Sequence, residues 1–312
     1  MKVLFWGTPA FALPAFRSLA EEGHVVVGVV TQPDRPAGRG RGVTMSPVKQ
    51  EALEDGIPVL QPEKARGEEF LAQIRALDAD ISVVVAYGQI LKPEVLAVPR
   101  LGSVNIHASL LPELRGAAPI QWAIIRGHSV SGVTIMRMEA GLDSGPMLMR
   151  VEEPIAPEES AGELGARLAE IGAEALVEVL ALMESTGIVE EPQDHARATY
   201  APKVDRETAR IDWSRPADEV ALWIRGMDDV PGAWSPLGAR GPVKLFRPKV
   251  VNEMGGFPGE VIEAGEAGVL IACGMGAVRA GEVQPPGKRR MPAGDWVRGR
   301  GVAVGDRFGA EG

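Results

Sequence analysis

IPVLQPEKARGEEFLAQIRALDADISVVVAYG, running from Ile57 to Gly88, carries the alternation that decides the fold class. IPVL is a short apolar run. EEFLAQIRALD places apolar residues at helical spacing. DISVVVAYG is a second apolar run with no polar alternation. A strand that does not alternate is buried on both faces, and a helix between two such strands is the crossover that a parallel sheet requires. The pattern extends in both directions. KVLFW, ending at Gly7, reads as a first strand, and HVVVGVVT (His24–Thr31) as a second. Between them AFALPAFRSLAEEG is helical in period, with Pro14 awkwardly placed inside its first turns. SPVKQEALEDG starts a helix with Ser46 as N-cap, Pro47 at the first position and Gly56 past the end. GSVNIH is a further strand, SGVTIMRMEA and GPMLMRVEEPI read as a late strand pair, and Ser160–Ser185 is the longest helical pattern.

From about Pro192 the texture changes. EPQDHARATYAPKVDRETARIDW is polar and aperiodic, as a linker is. After the helix-like PADEVALWIRGM come short strands broken by Gly and Pro: VKLFRPKVV, GEVIEA, GVLIAC and GAVRAGEV. Such strands suggest a small barrel. The expected organisation is an α/β, Rossmann-like domain over residues 1–190, a linker over 191–205 and a smaller β-barrel domain over 206–312.

The 312 residues suit two domains, and 45% apolar with 24% charged residues is ordinary globular composition. No apolar run reaches the roughly 18 residues that a membrane span needs, and MKVLFWGTPAF makes a poor signal peptide. Cys273 is the single cysteine. It allows no intrachain disulfide, so a cytoplasmic location is expected. The net charge is −9, which weighs against nucleic acid unless the cations cluster. They do so twice, in RPAGRGRG with Arg35, Arg39 and Arg41, and in GKRRM with Lys288, Arg289 and Arg290. Each cluster by itself reads first as a solvated loop.

GTPAFALP follows the first strand where a dinucleotide fingerprint would stand, but Pro9 replaces the second glycine, so nicotinamide binding is not expected. No Walker A loop and no G-x-S-x-G elbow occur. The four histidines, His24, His107, His128 and His195, show no metal-ligand spacing, and no metal is expected. His107 stands apart because it ends a strand of an α/β sheet, where ligands bind. Asn105 lies two residues earlier and shares its strand face. Asp143, in GLDSG, reads on its own as a turn residue. Taken together, Asn can donate to a developing oxyanion, His can move a proton, and a carboxylate can orient the His. Ser109–Pro119, SLLPELRGAAP, reads either as a buried loop or as the wall of a site for a flat ligand.

The residues N-x-H-x-S-L-L-P with R-G-x-x-P, TQPDRPAGRGRG, VVVAYGQIL, GVTIM with GLDSGPML, ARIDW and QPPGKRRM resemble, over essentially the whole chain, the methionyl-tRNA formyltransferase family of the folate-dependent formyltransferases. The resemblance implies formyl transfer from 10-formyltetrahydrofolate to methionine on initiator tRNA. It implies Asn105, His107 and Asp143 as the catalytic set and a reduced-folate site formed by Ile90, Leu91, Ser109, Leu110, Leu111 and Pro112. Arg115 and Gly116 would fix the following loop. Arg35, Arg39, Arg41, Lys288, Arg289 and Arg290 would meet tRNA, and the C-terminal domain would be OB-like. A monomer that does not associate with membranes is expected. A sugar-nucleotide amine as acceptor, or a non-catalytic tRNA-binding module, are the alternatives.

Overall fold

The apolar runs KVLFW, HVVVGVVT and DISVVVAYG become inner strands and the helical patterns between them become crossovers, whereas IPVL, read as buried on both faces, forms a two-residue, half-buried strand at the sheet edge. The structure, a computed structural model, describes residues 1–37, 42–252 and 255–309. The chain divides into two compact units, the first comprising Met1–Pro119, Val130–Pro154 and Gly165–Ala201, the second Ile120–Ser129, Ile155–Leu164 and Pro202–Gly312.

The first unit opens with β1 (Lys2–Gly7), α1 (Leu13–Glu21), β2 (Val25–Val30), β3 (Arg35–Ala37) and β4 (Gly42–Thr44). α2 (Pro47–Glu54), β5 (Val59–Leu60), α3 (Glu68–Ala76), β6 (Ile81–Val85), α4 (Pro93–Leu96), β7 (Ser103–His107) and β8 (Arg115–Gly116) follow. After α5 (Pro119–Ile125), which belongs to the second unit from Ile120, come β9 (Val130–Arg137), β10 (Met147–Pro154), α6 (Ala161–Ser185), which belongs to the first unit from Gly165, and β11 (Tyr200–Ala201). Seven strands form one sheet in the order β10-β9-β7-β6-β1-β2-β5. Pairing is parallel from β5 to β7 and antiparallel at β9 and β10, so the sheet is mixed. β10 follows β9 as a hairpin and pairs antiparallel with it, whereas β9 itself enters the sheet antiparallel to β7 after the chain has passed through α5, and that pairing makes the sheet mixed.

Pro14 fits α1 because the helix begins at Leu13, where a missing N–H leaves no bond unmade. Ser46 caps α2 by accepting from the Lys49 amide at 3.1 Å. Trp6 is fully buried, its Nε1 donates to Ser82 Oγ at 3.0 Å, and Phe70 and Tyr87 stack edge-on against it. The β3–β4 ribbon flanks residues 38–41, so Arg39 and Arg41 lie outside the described residues.

The second unit contains α7 (Ala217–Met227), β12 (Trp234–Pro236), β13 (Pro242–Val251), β14 (Val261–Gly265), β15 (Gly268–Ala272), β16 (Ala277–Gln284), β17 (Met291–Pro292) and α8 (Ala293–Arg298). Its sheet runs β12-β13-β16-β15-β14 with β17 beside β16, and every pairing is antiparallel. The expected barrel is realised as an antiparallel sheet, with no ladder between the end strands β12 and β14 among the described residues. Trp213, Ile224, Val243, Ile271 and Phe308 sit in its core, and Trp213 Nε1 donates to Ser235 Oγ at 2.9 Å. Cys273 is a buried free thiol, pushed up to about 12 by burial, and so stays protonated at neutral pH.

Candidate active site

β7 is an inner strand, held by β6 on one side and β9 on the other. Its alternation puts Ile106 on one face and Asn105 with His107 on the opposite face. Ile106 is buried, and a Cβ at Gly172 of α6 would lie 2.8 Å from its Cγ2, so helix and strand are in close contact. Asn105 is half-buried, and no described residue takes or gives a hydrogen bond at its carboxamide. His107 is 5% exposed, and its Nε2 is 3.0 Å from the Leu114 carbonyl oxygen. A carbonyl only accepts, so Nε2 carries a proton and Nδ1 is the nitrogen left to face the site.

The loop after β7 is pinned from several sides. Thr134 of β9, opposite His107 in register, donates to the Ser109 carbonyl at 2.7 Å and accepts from the Leu111 amide at 3.1 Å. Ser109 Oγ donates to the Glu113 carbonyl at 2.6 Å, and the Leu111–Pro112 bond is cis. Leu114 has φ +57°, which turns its carbonyl toward His107 and costs about 1–2 kcal/mol for a residue with a Cβ. Its amide donates to Thr199 Oγ1 at 2.9 Å. β8 then pairs with β11, so the 199–201 segment supports this loop.

Asp143 arrives by a different route. The register of β7, β9 and β10 places the start of the 138–146 loop at the level of Ser103, where Met138 N donates to the Ser103 carbonyl. The loop must turn back toward the other end of β7 to reach His107. It does so with Gly141 at φ +131° and Asp143 itself at φ +48°. Asp143 Oδ2 accepts from the Gly116 amide at 2.8 Å and stands 3.8 Å from His107 Nδ1. That separation is too long for a direct hydrogen bond and leaves room for tightening or for a bridging water.

Arg115, 4% exposed, donates through Nε and Nη2 to Gln193 Oε1, at 3.1 and 2.6 Å, and through Nη2 to His195 Nδ1 at 3.0 Å. Gln193 Nε2 donates onward to the carbonyls of Asp143 and Gly145, at 2.9 and 2.7 Å. Reading the sequence left Gln193 and Thr199 unnoticed inside a polar, aperiodic stretch that carries no periodic signal of burial. Thr134 was hidden inside an apolar strand.

The folate-site residues divide by exposure. Leu111 is fully buried against Met136 and Met147, Leu91 is buried with Val95 and Leu96, and Ser109 and Pro112 are also buried. Leu110 is half-buried, and a Cβ at Gly132 would lie 2.6 Å from its Cδ2. Ile90 is 82% exposed, and Leu142, beside Asp143, is 49% exposed. The turn carrying Ile90 is set by positive φ at Ala86 and Gly88 and by Thr8 Oγ1 and Gln32 Nε2 donating to the Tyr87 carbonyl. An exposed apolar side chain on a turn fixed this firmly, together with a carboxamide that has no partner among the described residues, fits a ligand with one flat apolar part and one carbonyl.

Arg35, Lys288 and Arg289 are exposed, with no ion pair among the described residues. Arg290 differs. It donates to Asp228 at 2.8 and 3.2 Å and to Glu282 at 2.5 Å, and it lies 4.0 Å over the Phe246 ring. No group of three or more His, Cys, Asp or Glu arranged to hold a metal occurs among the described residues.

Residues 1–180 match the formyl transferase family profile, and residues 203–301 match the formyl transferase C-terminal domain. Relatives named methionyl-tRNA formyltransferase include those of Symbiobacterium thermophilum, 47% identical over 99% of this chain and 95% of that one, and Citrifermentans bemidjiense, 45% identical over 99% and 96%. The protein of Thiobacillus denitrificans, with the same name, is 46% identical over 99% of this chain and 100% of its own. Among solved structures, HypX from Aquifex aeolicus in complex with tetrahydrofolic acid is similar in fold, with a TM-score of 0.67 at 21% identity. The match covers 95% of this chain and 47% of that one. WlaRD, a sugar 3N-formyl transferase, has a TM-score of 0.66 at 18% identity over 93% and 99%. With both domain profiles matched and full-length relatives above 40% identity, the chain belongs to the methionyl-tRNA formyltransferase family.

Proposed function

We propose that this chain transfers the formyl group of 10-formyltetrahydrofolate to the α-amino group of methionine on initiator tRNA. The observation that carries the reading is the Asn105 carboxamide, without a hydrogen-bond partner among the described residues, on the same strand face as a His107 whose Nδ1 faces Asp143 at 3.8 Å. Bound 10-formyltetrahydrofolate supplies the electrophilic formyl carbonyl. Asn105 donates to the formyl oxygen as negative charge grows there. A lost donor of this kind costs roughly 3–4 kcal/mol of barrier. His107, held through Nε2 by the Leu114 carbonyl, presents Nδ1 to the same charge in its protonated form. As the methionine nitrogen bonds to the formyl carbon, Asp143 supports that charged ring and relays the proton lost by the amine, through a water where the gap stays open, to N10, whose bond to the formyl carbon breaks as tetrahydrofolate leaves. Ile90, Leu91 and Ser109 to Pro112 form the folate wall, with Ile90 as its exposed apolar surface and the buried members setting the loop shapes.

Residues 1–190 are assigned the catalytic work, 191–205 the junction and 206–312, with an OB-like shape, the tRNA. Arg35, Arg39 and Arg41 meet the acceptor end, and Lys288 and Arg289 meet phosphates. Arg290, already bound to Asp228 and Glu282, sets the turn that presents them. The enzyme acts as a monomer in the cytoplasm. The test is formyl transfer by the purified protein to methionylated initiator tRNA, methionylated elongator tRNA and a nucleotide-linked aminosugar. Formylation of the initiator tRNA above the other two is expected. Formylation of the aminosugar alone would overturn the acceptor.

A further inference from the structure

The Asp143 loop leaves the sheet at the wrong level to meet His107 and must be folded back to do so. Two backbone carbonyls of that loop, those of Asp143 and Gly145, both accept from one side chain, the carboxamide of Gln193. Gln193 is 6% exposed and comes from a segment otherwise exposed on both sides of it. Its amide can sit only one way round. Arg115 offers donors and no acceptor, so it must face Oε1, which leaves Nε2 for the loop carbonyls. Arg115 in turn is buried, with no carboxylate within ion-pair distance among the described residues, and its other partner is His195 Nδ1. That ring nitrogen must therefore be the unprotonated acceptor. A buried guanidinium held only by neutral acceptors is a costly arrangement. The next residue, Gly116, gives its amide to the Asp143 carboxylate at 2.8 Å. Gly116 is at φ +117°, and a Cβ there would lie 2.7 Å from the Ala201 carbonyl oxygen, so the backbone is held close on that side too.

We infer that Gln193, oriented by Arg115, is a positioning residue that latches the Asp143 loop so that its carboxylate faces His107. The inference rests on the catalytic reading of Asp143 given above. The latch holds the main chain on both sides of the turn, while the Gly116 amide aims the carboxylate. Gln193 is buried, and both ends of its carboxamide are taken up by Arg115 and the loop carbonyls. Its loss should therefore leave binding intact and slow the chemical step.

The variant Gln193→Glu keeps an acceptor for Arg115 and removes both donations to the loop. Gln193→Met, of similar length, removes both without adding charge and serves if the first variant folds poorly. Three readouts are compared with Asp143→Asn in the full chain. In the free protein, hydrogen exchange at the Gly116 amide should quicken at least tenfold. Exchange at the Arg115 amide, which donates to the Thr199 carbonyl instead, should stay unchanged. In the reaction, kcat should fall at least tenfold while KM for both substrates stays within twofold. The pH profile of kcat should move in the same direction as in Asp143→Asn. Unchanged Gly116 exchange with unchanged kcat in both Gln193 variants, where Asp143→Asn is impaired, would overturn the latch alone. If Asp143→Asn itself keeps full kcat, the catalytic reading falls, and Gly116 exchange still decides whether Gln193 holds the loop. Equal acceleration at Arg115 and Gly116 would mean general loosening and would also overturn the latch.

Discussion

Asn105 and His107 sit on one strand face because of a spacing of two, yet the structure treats them differently. His107 is fixed by a carbonyl that accepts from Nε2, whereas the Asn105 carboxamide has no described protein partner. A polar group left without partners on an otherwise well-bonded strand contributes little to stability, because water solvates it in the folded and unfolded chain alike. Removing it should therefore separate function from folding. Asn105→Ala is expected to lower kcat by roughly 10²- to 10³-fold and to leave the thermal midpoint nearly unchanged. Asp143→Ala should also lower turnover strongly, but with some loss of stability, since the Gly116 amide loses its acceptor. His107→Ala should combine the two effects, because its ring is buried and bonded. Steady-state kinetics and melts on the same preparations check the series. Full turnover in Asn105→Ala would remove it from the reaction.

At the scale of elements, the placing of the proposed catalytic pair, Asn105 and His107, depends on how β7 is seated. Gly172 lets α6 approach the strand from the face opposite the site, and Ile106, β-branched and stiff, cannot retreat far from a new side chain. Gly172→Leu should cost about 1–3 kcal/mol by overpacking, read by urea unfolding, and should lower kcat by displacing Asn105 and His107 together. The start of α6 offers a second test. Ser160 and Glu163 form a reciprocal cap, with Ser160 N donating to Glu163 Oε2 at 2.9 Å and Glu163 N to Ser160 Oγ at 3.3 Å. The Arg247 guanidinium, bonded at 2.7 Å, and the Ser160 amide hold the Glu163 carboxyl down at about 2. A depressed carboxyl contributes stability above its unfolded value, near 4.5, and loses it as pH falls through the folded one. The stability gap between the native protein and Glu163→Gln should therefore be constant above pH 4.5 and close between pH 4.5 and about 2. A gap that persists at pH 2 would show that the cap acts without its charge. Because Glu163 is 44% exposed, salt should shrink the gap as well. These elements also show what could be read in advance. The strands, the Ser46 cap, α6 and the late hairpin follow from period and capping chemistry, which are local. So does the shared face of Asn105 and His107. The mixed sheet, the fold-back of the Asp143 loop and the burial of Gln193 depend on partners distant in sequence. A polar stretch gives no local sign that one of its amides will be enclosed.

At the scale of the whole molecule, a chain of net charge −9 has to hold a polyanion, so its cations must be locally free. The structure separates them into two kinds. Lys288 and Arg289 are exposed and make no ion pair among the described residues, whereas Arg290 is bound to Asp228, whose side chain is only 6% exposed. Removing Arg290 would strand a buried carboxylate at a cost of about 3–5 kcal/mol, so weakened tRNA binding in Arg290→Ala would reflect unfolding as much as lost contact. Lys288→Ala and Arg289→Ala are the clean probes. Each should weaken tRNA binding and reduce the slope of log affinity against log salt by about one unit. An unchanged slope in both would remove the turn from the interface. Arg35 is exposed at the base of the other basic segment, and Arg39 and Arg41 lie outside the described residues. That segment follows β2, next to β1 in the sheet, and Gln32 at its base donates to the Tyr87 carbonyl on the turn that carries Ile90. Guanidinium groups there would bond phosphate and stack on unpaired bases of an acceptor end. Arg39→Ala is expected to impair formylation of tRNA through KM and to leave the affinity for reduced folate within twofold. Equal loss of folate affinity would place Arg39 in the donor site instead, and unchanged tRNA kinetics would leave it with no part in recognition.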